Sequence, residues 1–368
     1  MKIICNTQQL SEACLNVQRA VSTKSTIPAI EGILLNAGSG VLSVTGYDLE
    51  VGIHTSLNVR VEESGSIILG AKLFCDILRR LPDETVTIET DERQMAVICS
   101  GQAEYSLIGI SADEYPELPA IEVDNPLIIS QSLLKDMIRQ TIFAVSTSDA
   151  KPVHTGIKFE LTENQIRLVA VDGYRLAMRT ETIIYQGDSI SFVVPAKTLN
   201  EVTKLLSETE ENIEIGVGKR HIIFKIENYN VISRLLDGEF LDYRAAVPAS
   251  STTTARVNTR KLTDMVDRTS LIITDRLKSP LRCIFSEGSI KTSCITSIGK
   301  AMDQIDANIE GARVEIGFNN RYFLDALHAA DTDELRIELN GALSPMKILP
   351  PEGESFLFLV LPVRLKSE

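Results

Sequence analysis

The segment AKLFCDILRRL at residues 71–81 returns as AKTLNEVTKLL at 196–206 and as NRYFLDALHAA at 320–330. Lys72, Lys197 and Arg321 hold the same place in the three copies, 125 and then 124 residues apart. Apolar residues recur at helical spacing in each copy, which predicts a helix with one face laid on a sheet. A second pattern repeats at a similar interval, over residues 3–21, 127–145 and 255–273. Each copy reads as a short strand, a polar cap (Asn6, Ser130, Asn258) and a helix whose first apolar anchor, Leu10, Leu134 or Leu262, comes four residues later. In the first copy Leu10, Ala13, Cys14 and Val17 fall on one face. Alternating stretches such as 85–89 and 212–215 follow the second helices and predict half-buried strands.

A repeat of this length is a small domain rather than a solenoid unit. The first two copies also end alike, Ala112-Asp113-Glu114-Tyr115 against Asp237-Gly238-Glu239-Phe240. Proline-rich and polar stretches at 116–126 and 248–254 supply links. The domains are therefore expected at 1–124, 125–253 and 254–368. Each carries two helices and roughly eight strands, an α+β architecture of helices packed on antiparallel sheets.

Of the 368 residues, 44% are hydrophobic and 24% charged, which excludes a disordered chain and suits two or three folded domains. No apolar run reaches the length of a membrane helix, and the N-terminus lacks the pattern of a signal peptide, so a cytoplasmic location is expected. The six cysteines are scattered without a C-x-x-C pair, which predicts neither a zinc site nor a disulfide framework. The net charge of −13 excludes a protein basic over its whole surface. Its distribution is uneven: the six helical windows hold 12 basic against 9 acidic residues, and the rest of the chain nets −16. Weakly basic helices in an acidic body suit loose, sequence-independent contact with a polyanion, although solvated helix faces commonly carry such charges too.

Signatures of catalysis do not assemble. His54, His154, His221 and His328 are isolated from one another and from any metal-binding spacing, so ordinary surface or core roles are expected. Gly216-Val217-Gly218-Lys219-Arg220 lacks the glycine spacing and the hydroxyl of a phosphate loop and reads as a hairpin turn between 212–217 and 221–226. Ser297-Ile298-Gly299-Lys300 fails on the same grounds, and Asp172-Gly173 has the chemistry of a tight turn after 166–171. No metal, cofactor or catalytic residue is expected.

Four motifs, in this order and spacing, are shared with a known family: Thr45-Gly46-Tyr47-Asp48-Leu49-Glu50, Val171-Asp172-Gly173-Tyr174-Arg175-Leu176-Ala177, Leu236-Asp237-Gly238-Glu239-Phe240 with Asp242-Tyr243-Arg244, and Leu361-Pro362-Val363-Arg364-Leu365. Along its whole length the chain resembles the bacterial DNA polymerase III beta subunit, the sliding-clamp family. The resemblance implies a non-catalytic processivity factor, a ring closed by a head-to-tail homodimer around duplex DNA. Twelve helices at about 10 Å spacing would give a ring roughly 120 Å around with a bore of about 28 Å, wide enough for a duplex. Implied partners are double-stranded DNA, the polymerase III alpha subunit, the clamp loader, and other polymerases and repair proteins that dock short apolar motifs.

By family position, that docking groove would use Gly173, Tyr174, Arg175 and Leu176 from one motif and Leu241 and Ala246 from the next. Asn319, Tyr322, Leu343 and Leu359 would join them, with Leu361, Pro362, Val363 and Arg364 at the end of the chain. For Leu359, core packing is the simpler expectation. Tyr174, Leu241 and Ala246 depart from the common family pattern, and Lys366-Ser367-Glu368 extend past it and would crowd the groove. DNA-facing positions would be Lys24, Lys72, Arg79, Arg80, Lys151 and Lys197, Lys151 being the sole basic residue in 148–153. Tyr105 and Leu107 would meet Leu271 and Ile272 of a partner subunit at ring closure. The alternative is a specialised paralogue or repeat adaptor that binds peptides without riding on DNA.

Overall fold

Asn6 ends the first strand, and its side chain accepts a hydrogen bond from the Gln9 amide at 3.0 Å, which starts helix α1, Thr7–Val17. Asn258 does the same for the Lys261 amide at 3.0 Å. The other helices of this computed structural model are α2 Ala71–Leu78, α3 Gln131–Ile142, α4 Ala196–Leu205, α5 Thr259–Ser270 and α6 Asn320–Ala329. The structure describes residues 1–121, 123, 125–274 and 279–365; the extension Lys366-Ser367-Glu368 and part of the first expected link lie outside them. All six expected helices are present, each shorter at its C-terminal end than its apolar pattern suggested. α1 passes into a turn of 3-10 helix at Gln18–Ala20, and α2 stops at Leu78, so Arg79 and Arg80 lie just past its end. On α1 the buried set includes Leu10, Ala13, Cys14 and Val17, the face expected from sequence.

Contacts group the chain into two compact units, Met1–Ser132 with Lys197–Leu235, and Leu133–Ala196 with Leu236–Glu368. In the first unit, an eight-stranded antiparallel sheet runs in the order Leu127–Ser130, Asn212–Val217, His221–Ile226, Tyr229–Arg234, Val51–Asn58, Val41–Tyr47, Gly32–Gly38, Gly65–Gly70. A five-stranded sheet beside it ends on the strand Ala103–Ile108. In the second unit, a nine-stranded sheet joins Arg175–Thr182 directly to Phe356–Val360, and a four-stranded sheet ends on Gly299–Asp306. Every pairing between these strands is antiparallel, as turn-rich alternating sequence predicts.

Two of these pairings are seams between strands far apart in sequence. Val51 lies opposite Ser233 and Thr55 opposite Tyr229 in the first unit, while Arg175 lies opposite Val360 and Arg179 opposite Phe356 in the second. The hairpins that feed the seams share a turn. The Asp48 carboxylate accepts from the amides of Glu50 and Val51 at 3.0 and 2.8 Å, and Asp172, 124 residues on, accepts from those of Tyr174 and Arg175 at 2.9 and 3.1 Å. A further 124 residues on, the Thr296 hydroxyl accepts from the Ile298 amide at 3.3 Å. Gly173 takes φ +90°, which glycine adopts without a side-chain clash, whereas Leu49 in the same place takes φ +75°.

Helices press closely on these hairpins. A Cβ added at Gly46 would stand 2.4 Å from the Val17 carbonyl oxygen at the end of α1, while one at Gly38 would meet nothing within 4 Å. Gly46→Ala is therefore expected to cost about 1–3 kcal/mol through forced backbone shifts. Thermal melts of the two variants check this: Gly46→Ala should melt several degrees lower, and Gly38→Ala should stay near the parent.

Candidate functional site

On one face of the nine-stranded sheet, Val169, Leu176, Leu349, Leu357 and Leu359 pack with Tyr243 into a buried cluster edged by Met178, Phe240 and Val247. Leu176 and Leu359 stand opposite each other across the seam. Their exposures of 4% and 1% make them a floor rather than an open contact surface, as expected for Leu359 and contrary to the expectation for Leu176. Beyond the last paired residue, the chain holds its course through the Leu361 amide, which donates to the Tyr174 carbonyl at 2.9 Å. The Val363 amide then donates to the Gly317 carbonyl at 2.8 Å. Gly317 is required for this approach, because a Cβ there would lie 2.6 Å from the Val363 carbonyl oxygen.

The wall is aromatic and charged. Tyr174 is 63% exposed and stacks on Tyr322 with ring centroids 6.1 Å apart. The Arg175 guanidinium lies 4.5 Å from the centre of the Tyr322 ring and is fixed by two carboxylates, Asp172 at 2.8 Å and Asp325 in a closer contact. Burial, followed by the neighbouring Asp172 charge, pushes the Tyr322 hydroxyl above its ordinary pKa. Asn319 caps α6 by accepting from the Arg321 amide at 3.0 Å, which places Tyr322 in the first turn.

Beside the wall, a cavity of about 520 Å³ is lined by Asn319, Tyr322 and Val363 together with Ile273, Pro280, Phe318 and Arg321. Ile273, Pro280 and Phe318 were missed from the sequence as site residues, and Arg321 was read only as part of the helical repeat; only the fold brings them to the end of the chain. Leu241, Leu343 and Val363 are exposed large apolar residues at 43%, 81% and 41%. Leu241 and Ala246 flank Tyr243, whose ring joins the floor. Leu343 sits in the turn before the strand Met346–Leu349. Pro362 is half-buried and Arg364 and Gly173 are exposed.

Three cations surround one carboxylate next to the floor. Glu160 accepts from Tyr243 and Arg244 at 2.7 Å and pairs with Lys158 at 2.9 Å. Burial alone would push its pKa up, but hydrogen bonds from Lys158 and Tyr243 outweigh that and hold it below the ordinary carboxylate range. Arg167 adds a contact at 3.6 Å. The arrangement fastens the segment that carries Leu241 and Ala246 to the sheet.

The expected DNA-facing residues are all exposed. Lys24, Lys72 and Lys151 have no ion-pair partner among the described residues, and Arg79 and Arg80 share Asp76 at 3.7 Å each. Lys197 differs, being held by Asp48, with Glu50 at 3.9 Å. Tyr105 and Leu107 lie on the edge strand of the five-stranded sheet, and Leu271, 76% exposed, and Ile272 follow the end of α5. No group of three His, Cys, Asp or Glu among the described residues is placed to hold a metal ion. Five of the six cysteines are buried and all are free of disulfides, with burial pushing the Cys5 and Cys75 thiols up to about 12. No described helix is long and apolar enough to cross a membrane.

Compared with known proteins, residues 1–119, 128–242 and 244–364 match the N-terminal, central and C-terminal domains of the DNA polymerase III beta subunit. The chain belongs to the DNA polymerase III beta subunit family. It is 36% identical to the beta sliding clamp of Bacillus subtilis (strain 168), covering 99% of this chain and all of that one. The crystal structure of the DNA polymerase sliding clamp from Bacillus subtilis superposes with a TM-score of 0.96 at 35% identity, over 100% of both chains. A sliding clamp from Pseudomonas aeruginosa bound to griselimycin superposes with a TM-score of 0.93 at 26% identity, over 99% of this chain and all of that one. The beta-subunit fold, three tandem α+β clamp domains, is thus the one expected from the repeats.

The close approach at Gly317 makes the end of the clamp chain testable. Gly317→Ala should strip protection from the Val363 amide in hydrogen exchange, while the Leu361 amide, bonded across the seam, keeps most of its own. Equal protection at both amides in the variant would contradict the steric reading.

Proposed function

We propose that this chain is a non-catalytic DNA sliding clamp, a homodimeric ring of three-domain subunits divided near 124 and 253 that encircles duplex DNA. The observation that carries the reading is the state of the strand edges. Two seams are made within the chain, and the strands left over at sheet edges, Ala103–Ile108 and Gly299–Asp306, occupy the repeat positions that would make a third. Joining them between subunits head to tail pairs both of these edges and closes a ring.

The register of the third seam follows from the first two. Tyr105 and Leu107 share the face of buried Ile98 and Ala96, as Val231 and Ser233 share that of Phe224 and Ile222. Leu107 of one subunit therefore falls opposite Gly299 of the other, and Tyr105 opposite Ala301, with Leu271 and Ile272 at the end of α5 available to cover them. On the opposite face of both edges, Ile108 at 81% and Met302 at 71% are exposed large apolar residues that a joint would also bury.

DNA would be held by topology, with Lys24, Lys72, Arg79, Arg80 and Lys151 as weak phosphate contacts. Lys197 contributes less, since Asp48 already holds its charge. On nicked circular DNA the loaded protein should be retained, and on linear DNA it should run off the ends; equal loss from both would favour the adaptor reading.

The cleft around Tyr174, Tyr322 and Val363 is the proposed docking site for short apolar motifs of the polymerase III alpha subunit, the clamp loader and other polymerases and repair proteins. A half-exposed aliphatic chain end beside an aromatic wall and a cavity fits an extended peptide. Leu361→Ala combined with Val363→Ala should weaken binding of such a peptide by about 10-fold, the loss of a few buried methyl groups. Sedimentation should find the dimer unchanged, and unaltered peptide affinity would place the site elsewhere.

A further inference from the structure

We infer that Glu104 of one subunit and Lys300 of the next form an ion pair on the face of the closing seam that points away from the helices, and that this pair directs head-to-tail joining. The inference rests on the ring reading above. Alternation fixes the faces: Tyr105 and Leu107 point to the buried side of the five-stranded sheet, so Glu104 points to the other. In the four-stranded sheet, Ala301 and Asp303 pair with buried Cys294 and Thr292, so Lys300 and Met302 point to the other side as well. With Leu107 opposite Gly299, Glu104 falls opposite Met302 and diagonal to Lys300. Diagonal cross-strand neighbours are about 7–8 Å apart, within reach of these two long side chains.

Both charges are available. Glu104 and Lys300 are exposed, and neither has an ion-pair partner among the described residues. The strand Ala103–Ile108 carries no other charge, so pairing it with its own copy would give Glu104 no cation. Only the unlike edge supplies one.

The two seams already made within the chain show what a permanent joint puts in these places. In the first, the corresponding residues are Asn230 and Gly52, opposite His54 and Ile232. In the second they are Leu357 and Leu176, both buried in the same apolar cluster. The seam that forms between separate chains thus has a charge pair where the second of the tethered seams has a leucine pair and the first has no charge. A charge pair on a solvent-facing strand edge keeps each free edge soluble, adds modest strength and penalises like-with-like joining.

The test uses two full-length variants, Glu104→Lys and Lys300→Glu. Each alone puts like charges at both seams of its ring, and each homodimer should dissociate about 10-fold more readily than the parent. Mixed together, they can form a heterodimer in which one seam carries the reversed pair and the other the native pair. Native mass spectrometry of the mixture should find that heterodimer well above its statistical share at low salt, and the excess should shrink as salt screens the pair. Formation of the heterodimer also shows that both variants fold. Random mixing, with variant homodimers as tight as the parent, would overturn the pair while leaving the ring intact; a parent that is monomeric at micromolar concentration would overturn both.

Discussion

Backbone pairing across the seams is the interaction on which the rest depends. The strand Tyr229–Arg234 completes its hydrogen bonds on Val51–Asn58, and Phe356–Val360 completes its own on Arg175–Thr182. Each seam continues one bond past its ladder, from Arg234 to the Glu50 carbonyl at 2.9 Å and from Leu361 to the Tyr174 carbonyl at 2.9 Å. Unpaired backbone groups buried at these places would each cost more than the bond contributes, so the hairpin turns at Asp48 and Asp172 must be held in shape. Their carboxylates do so by accepting two backbone amides apiece. The turn at Thr296 keeps a single such bond, and its strand is the one left open.

One scaffold therefore yields two different junctions through a few side chains. At the first, Val51 and Thr198 stand where the second has Arg175 and Tyr322. Thr198 bonds to Ser233 at 2.6 Å, and Lys197 bonds to Asp48, so small hydroxyls and an ion pair occupy that place. At the second, the guanidinium of Arg175 lies under Tyr322 and Tyr174 stacks outside it. A large ring held off the sheet by a charged side chain leaves room beside it, and the cavity bounded by Phe318, Pro280 and Val363 is that room. The proposed docking site belongs to the second junction because its residues are large and fixed in place, while the backbone plan is common to both.

Much of this was legible in the sequence because it depends on local pattern. Periodicity gave six helices with their apolar faces, and turn chemistry gave the hairpins at Gly218 and at Asp172-Gly173. Family motifs pointed to Tyr174, Tyr322 and Val363, which the fold gathers around one cleft. What could not be read depends on distant partners. Leu176 belongs to an apolar motif whether it faces a peptide or the core, and only its pairing with Leu359 decides for the core. Lys197 looks like any basic helix residue until Asp48, 149 positions away, is found beside it. Ile273, Pro280 and Phe318 carry no signal of their own, since a cavity wall is defined by what approaches it from elsewhere in the chain.

The acidic surplus of the chain and its few free lysines are consistent with each other only if DNA is held without tight contact. A protein that binds duplex by neutralising phosphates needs many cations, and each one adds to the salt dependence and to the friction of movement. Here, of six candidate cations, Lys197 is committed to Asp48 and two arginines share Asp76, which leaves three lysines with no partner among the described residues. Retention must then come from closure, so the strength of binding is set by the seam between subunits rather than by the surface facing the DNA. A weakly basic surface beside the proposed ionic joint is the combination that would permit sliding without tight contact.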